Sequence, residues 1–249
     1  HGENPEGMRL TGEGRKKRAV KVWEKRNFRN LDDSVDLGVR NIKLALRRLR
    51  RFARTGRAEE LDLDDTIKST AENAGLLDIK LRPEQENRVK ILLFFDIGGS
   101  MDPYIKVCEE LFSAARSEFK HMEYFYFHNF IYDYVWKDNR RRWDEKTSTW
   151  DVLHKYGNDY KVIFVGDAAM SPYEVNSVGG SVEHWNEEPG ALWMQRVMQT
   201  YDKVAWLNPE PKRTWDMTTS TVWIKQLVDN HMYALTLEGI EDAIRYLSR

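Results

Sequence analysis

Cysteine is nearly missing from this chain: Cys108 stands alone in 249 residues. That count excludes an intramolecular disulfide framework, a zinc ribbon and an iron–sulfur cluster. Long apolar runs are missing too. No stretch approaches the roughly 18 residues of a membrane span. The opening HGENPEGMRLTGEGRKKR lacks the apolar segment of a secretory signal. There is no internal repeat. The glycine-rich phosphate loop, the Ser nucleophile elbow and the His-Glu-x-x-His zinc motif are all absent, so the common routes to an enzyme are closed. What is present is 32% charged and 41% hydrophobic residues, the balance of a soluble globular protein, expected in the cytoplasm. The length suits one α/β domain plus an appendage. The first residue is His1 rather than Met, which reads as a fragment, a processed product or a tagged form.

The near-zero net charge conceals an asymmetry. Residues 1–57 carry 17 Lys and Arg against 7 Asp and Glu, a net of +10, and the remainder nets −11. A basic arm on an acidic body can bind nucleic acid. It can equally pack on its own body or on an acidic partner. The second reading is favoured, because the basic segment is patterned to fold. Val35, Val39, Ile42, Leu46 and Leu49 form one apolar stripe, which predicts a helix over 31–54. Asp32, Asp33 and Asp36 at its start and Arg47, Arg48, Arg50, Arg51 and Arg54 at its end suit the helix dipole. A second helix is expected over 64–73, closed by Gly75. The expected organisation is a basic linker at 1–30, a helical extension at 31–76 and a main domain at 77–249.

From residue 77 the period changes. Leu77, Ile79 and Leu81 alternate with polar residues and predict a strand, followed by a turn over 83–87. The runs VKILLFF (89–95) and KVIFVGD (161–167) read as strands buried on both faces. A helix from about Pro103 to Phe119 lies between them, its inward stripe running through Cys108, which is therefore read as packing. YFYFH (124–128) and Tyr132–Trp136 are close enough to form a hairpin, giving one antiparallel edge strand. WDVLHKYG is a short helix, and 168–188 a long loop. Further helices are expected over 189–201, 219–229 and 238–247, with strands over 203–207 and 232–235. Alternating strands and helices mean an α/β fold: three layers, Rossmann-like, with a mostly parallel sheet. Most of the nine tryptophans read as core.

Ligands in such sheets bind at the carboxyl ends of the strands. Two of those ends carry an aspartate: Asp96 in FFDIGGSMD and Asp167 in IFVGDAAMS. On neighbouring strands the two carboxylates would repel unless one is protonated or a cation lies between them. Ser100, Ser148 and Thr149 supply hydroxyls nearby in the expected topology. Oxygens of these kinds suit Mg²⁺ or Mn²⁺. Each signal alone has a plain reading: Ser100 and Asp102 could cap the helix that begins at Pro103, and Asp167 could open a turn. The joint pattern is more specific.

That pattern resembles the von Willebrand factor A (VWA) family, whose metal-ion-dependent adhesion site (MIDAS) combines Asp-x-Ser-x-Ser after the first strand, a later Thr and an Asp after the fourth strand. Here the elements read Asp96-Ile97-Gly98-Gly99-Ser100, Thr149 and Asp167. Thr147 competes with Thr149, which is preferred for its place just before a helix. LLFFDIGGSMDP, YKVIFVGDAAMSPYE and GGSVEHWNEEPGA are similar to bacterial CoxE-like VWA proteins. The resemblance implies a VWA fold, a metal site of Asp96, Ser100, Thr149 and Asp167 holding Mg²⁺ or Mn²⁺, and a partner carboxylate completing it. It also implies a MoxR-type AAA+ ATPase as partner, in the maturation of a protein complex or metalloenzyme. The sequence departs from the pattern at Gly98, where the family usually has Ser. One protein hydroxyl is lost, and a water would take its place at a cost in affinity.

The stretch Glu183-His184-Trp185 is either a polar loop with a buried tryptophan or a partner-binding rim leaving the same sheet edge as Asp167. Three rival functions stand beside the adhesion-type module. They are nucleic-acid binding through the basic segment, a scaffold with a vestigial metal site, and a metal-dependent phosphoester hydrolase. The last has no visible general base or phosphate cradle.

Overall fold

A computed structural model describes residues 39–52, 58–73, 75–83 and 89–248. The expected linker 1–30 and the first turns of the expected helix, with Val35 and its aspartates, lie outside the described residues.

The elements run α1 (Val39–Phe52), β1 (Ala58–Leu61), α2 (Leu63–Glu72), β2 (Leu81–Pro83), β3 (Lys90–Asp96), a 3-10 turn (Gly99–Tyr104), α3 (Ile105–Glu118), β4 (His121–Phe127), β5 (Tyr134–Val135), β6 (Thr147–Ser148), α4 (Thr149–Lys155), β7 (Tyr160–Val165), α5 (Pro172–Asn176), α6 (Gly190–Thr200), β8 (Lys203–Asn208), a 3-10 turn (Lys212–Met217), α7 (Thr219–Leu227), β9 (Met232–Ala234) and α8 (Leu237–Leu247). Five strands form one sheet in the order β4-β3-β7-β8-β9. Every neighbouring pair in it is parallel. Because successive strand residues face opposite sides, the sheet feeds two cores. Ile91, Leu93, Phe95, Ile163 and Val165 pack with α1, α3 and α8. Leu92, Phe94, Val162, Phe164 and Trp206 pack with α4, α6 and α7. This is the three-layer α/β arrangement expected from the sequence.

The basic helix is part of the body. Ile42, Ala45, Leu46 and Leu49 of α1 are buried in the same core as α3 and α8. Arg47 Nε bonds Glu118 Oε1 on α3 at 3.0 Å, and Arg48 bonds Glu241 on α8 at 2.8 Å. Two of the arginines that gave the segment its charge are thus matched to the acidic body. Cys108 is buried on the inward face of α3, and burial pushes its thiol up to about 12, as suits packing rather than nucleophilic chemistry.

Four local expectations change. The alternating segment before β2 is not a strand: Leu77 and Ile79 are exposed, and it lies against α2 instead. Lys80 N and Asp78 N donate to the hydroxyls of Thr66 and Thr70 at 2.9 and 3.1 Å, so side chains of a helix satisfy a backbone that would otherwise seek a strand. Only the segment's end, from Leu81, is a strand, β2, which pairs antiparallel with β1. The hairpin after β4 shrinks to isolated antiparallel bridges, Tyr126 with Trp136 and His128 with Phe130, and Phe130, Ile131 and Tyr132 turn inward to fill the second core. The long loop contains α5, opened by a capping box of Ser171 and Glu174. Finally, the tryptophans divide: Trp136, Trp193, Trp206 and Trp215 are buried, whereas Trp143, Trp150 and Trp185 are exposed.

Candidate metal centre

Three adjacent strand ends build the site. β3 lies between β4 and β7, with Asp96 opposite Phe127 and Phe95 opposite Val165. Asp96, Asn129 just beyond β4, and Asp167 just beyond β7 therefore leave the sheet side by side. Stacked rings fix the register below them: Phe94 on Phe164 at 4.7 Å and Phe164 on Trp206 at 5.4 Å. Trp206 Nε1 donates to the Gly166 carbonyl at 2.7 Å. Gly166 gives the site room: a Cβ there would be crowded, 3.0 Å from Asp96 Cβ and 3.2 Å from both Asp96 Oδ2 and the Trp206 ring.

Asp96 is 6% exposed. Its Oδ1 accepts from Gly98 N at 2.7 Å and Asn129 N at 2.8 Å. Its Oδ2 is buried and has no hydrogen-bond partner among the described residues. Burial, and then repulsion from Asp167, push its carboxyl well above the ordinary carboxylate range. Asp167 is 2% exposed and accepts from Ala169 N at 2.9 Å. Burial raises it too, against a hydrogen bond from the Ser100 side chain, and Glu210 repels it. No Lys, Arg or His forms an ion pair with either aspartate among the described residues. The loop that carries Asp167 is clamped: Asn208 Nδ2 donates to the Asp167 carbonyl at 2.8 Å. Ser220 and Thr221 hydroxyls donate to the Ala168 carbonyl at 2.8 and 3.1 Å, holding Ala168 at φ 58.

Asp96, Ser100 and Asp167 thus come together. Thr149, fully buried, makes its recorded bonds elsewhere. Its hydroxyl donates to the Tyr132 carbonyl and its N–H to the Asp133 carbonyl at 2.8 Å. Thr147 lies in β6, paired with Val135.

Sequence reasoning missed three residues here. Asn129 and Glu174 form one unit, with Asn129 Nδ2 donating to Glu174 Oε2 at 2.6 Å. Glu210 accepts from the Tyr104 hydroxyl at 2.7 Å, which raises that phenol to about 12. Asn129 was findable as a strand-end residue beside Asp96, and Glu174 from the Ser-Pro-x-Glu capping signal.

The neighbouring loop differs. Glu183 turns inward to His128 and Arg142. Burial pushes its carboxyl up, but the hydrogen bond and charge of His128 and the charge of Arg142 outweigh it and hold the group below its ordinary value. His184 pairs with Asp133 between the edges of Tyr132 and Tyr134. Trp185 is 74% exposed, lying over Gly179, where a Cβ would meet its ring at 2.4 Å. Of the three rim residues only Trp185 is presented to solvent, and the buried tryptophan of the plain reading is not found.

The donor set fits a hard divalent cation. A buried carboxylate oxygen lacks a partner among the described residues, burial holds two carboxyls high, with Asp167 also repelling Asp96, and a hydroxyl stands beside them. Among the described residues no three His, Cys, Asp or Glu side chains are grouped to hold a metal. A cation here would draw on hydroxyl, amide and water oxygens as well.

Residues 37–135 match the family model of the VWA domain containing CoxE-like protein. Over that stretch the chain is similar to CoxE-like VWA proteins. The match begins two residues before α1 and ends in β5, so it includes the basic helix, Asp96, Ser100 and Asn129. Asp167 and Thr149 lie beyond it. Neither the curated proteins nor the solved structures yield a significant match. No helix among the described residues is long and apolar enough to cross a membrane.

Proposed function

We propose that this chain is a cation-dependent protein-binding module. The observation that carries the reading is the buried, partnerless Oδ2 of Asp96 in a cleft where Asp167 repels it. Asp96, Ser100, Thr149 and Asp167 are the proposed protein ligands to one Mg²⁺ or Mn²⁺. Each hydroxyl can serve both purposes: Ser100 donates its proton to Asp167 and Thr149 to the Tyr132 carbonyl, leaving oxygen lone pairs for a cation. The bound cation would supply positive charge at the sheet edge and an open coordination position. A partner carboxylate is the fitting occupant, being a hard anionic oxygen donor. Exposed Trp185 stands on the loop that follows Asp167 and offers apolar area to such a partner.

The partner class comes from the family likeness: a MoxR-type AAA+ ATPase, with this chain linking it to a client during maturation of a complex or metalloenzyme. Nucleic-acid binding is the weaker reading, since Arg47 and Arg48 are matched to Glu118 and Glu241. Pull-down of a candidate ATPase by wild type and Asp96→Ala, with Mg²⁺ or EDTA, tests the proposal. Capture that requires both Asp96 and the cation supports it. Equal capture in all four conditions rules out a metal-mediated contact.

A further inference from the structure

The glycine that breaks the family motif is matched by an asparagine from the next strand. At Gly98 an added Cβ would stand 2.1 Å from Asn129 Oδ1 and 3.1 Å from Asp96 Oδ1. A serine at 98 cannot coexist with Asn129 where it is, because real Cβ atoms never come that close to another heavy atom. The asparagine oxygen occupies the space that a serine side chain would enter.

The amide is held with its oxygen toward the site. Nδ2 faces Glu174 Oε2 at 2.6 Å. That carboxylate accepts only, so the nitrogen has to be on its side and the oxygen on the side of Gly98 and Asp96. Glu174 is itself fixed, since its Oε1 accepts from Ser171 N at 3.2 Å. The backbone of Asn129 is in the left-handed region at φ 60, which asparagine tolerates better than most residues. That conformation lets its N–H donate to Asp96 Oδ1 while its side chain reaches Gly98. Asn129 is 8% exposed.

We propose that Asn129 Oδ1 is a cation ligand in this chain, replacing the missing serine hydroxyl at Gly98, with Glu174 as the positioning residue that orients the amide. The inference rests on the metal-binding reading above. It makes the departure at Gly98 a rewiring of the site: one neutral oxygen donor exchanged for another, delivered from the β4 end instead of the β3 end. An amide oxygen is as hard a ligand as a hydroxyl, and a water substitute is not needed.

The experiment is calorimetric titration of the whole chain with Mg²⁺ and with Mn²⁺. Asn129→Gly keeps the left-handed backbone and removes the oxygen; binding should weaken about 10-fold or more. Gly98→Ser alone should weaken it as well, by displacing Asn129. Gly98→Ser combined with Asn129→Gly should recover most of the wild-type affinity, because the serine then has room. As a readout that needs no variant, a Mn²⁺-soaked crystal of the unaltered chain should show anomalous density about 2.1–2.3 Å from Asn129 Oδ1. Affinity unchanged in Asn129→Gly, or a Mn²⁺ peak on Asp96 with Asn129 Oδ1 beyond 3 Å, overturns the asparagine role alone. Wild type that binds neither ion overturns the metal-binding reading itself.

Discussion

Two buried carboxylates of this chain, Asp96 and Glu183, meet burial in opposite ways. Glu183 has His128 and Arg142 against it and is held below its ordinary value. Asp96 has two backbone N–H donors on one oxygen and, among the described residues, no partner on the other, with Asp167 nearby, and is held well above it. The pair by Glu183 is complete within the chain and fastens the loop 168–188 to the β4 end. The cleft at Asp96 has no Lys, Arg or His paired with it among the described residues, and on the proposed reading a cation completes it. A buried charge already matched holds structure, and one left unmatched at a strand end marks a site.

That contrast predicts stability changes of opposite sign. Glu183→Ala should cost about 2–4 kcal/mol, since it removes the carboxylate that pairs with His128 and Arg142 in a largely buried position; denaturant unfolding measures it. Asp96→Asn should raise the stability of the metal-free chain by about 1–2 kcal/mol, because a neutral amide removes a buried charge and its repulsion. The same variant should lose the stabilisation that Mg²⁺ gives the wild type. A destabilised metal-free Asp96→Asn would break the contrast.

The two groups also respond to pH with opposite slopes. A carboxyl raised in the folded state binds a proton that the unfolded chain has released. The contribution of Asp96 is therefore full below its ordinary value and is lost as pH rises through the raised one. That of Glu183 is present above its ordinary value and is lost as pH falls through the lowered one. Thermal melts of the metal-free chain from pH 4 to 8 should show the first loss, a shift of a few degrees. Asp96→Asn should flatten it, and so should saturating Mg²⁺. Cation binding should tighten over the same rise in pH, as Asp96 gives up its proton.

A much smaller effect is expected at the basic helix. Arg47→Ala removes one ion pair from a side chain 58% exposed and should cost under about 1 kcal/mol. Leu46→Ala on the same helix, buried in the first core, should cost about 2–5 kcal/mol. Parallel unfolding curves compare the two. Equal losses would show that charge rather than burial fastens this segment.

The centre of the sheet was legible because β3 and β7 are apolar runs that lead to an aspartate, and a continuous run leaves little choice but a doubly covered strand. The stripe of Ile42, Leu46 and Leu49 was legible for the same reason in helical period. The segment 77–81 misled, since alternation reports two faces but not what satisfies the backbone, and here the hydroxyls of Thr66 and Thr70 do. Asp96, Ser100 and Asp167 could be read from local motifs. Asn129 could be placed as a strand-end residue, but its role could not be read: it depends on a side chain reaching across from β4 to the space above Gly98, a contact between residues 31 positions apart. Glu183 looked like a rim residue because charge in a loop usually faces solvent, and only the fold shows His128 and Arg142 behind it.

Calorimetric titration of the wild-type chain and Asp96→Asn with Mn²⁺ decides the matter. One saturable site in the wild type, lost in Asp96→Asn while the variant melts at or above the metal-free wild-type temperature, is the predicted result. Heats of equal size in both proteins, or none in either, would contradict a cation seated between Asp96 and Asp167.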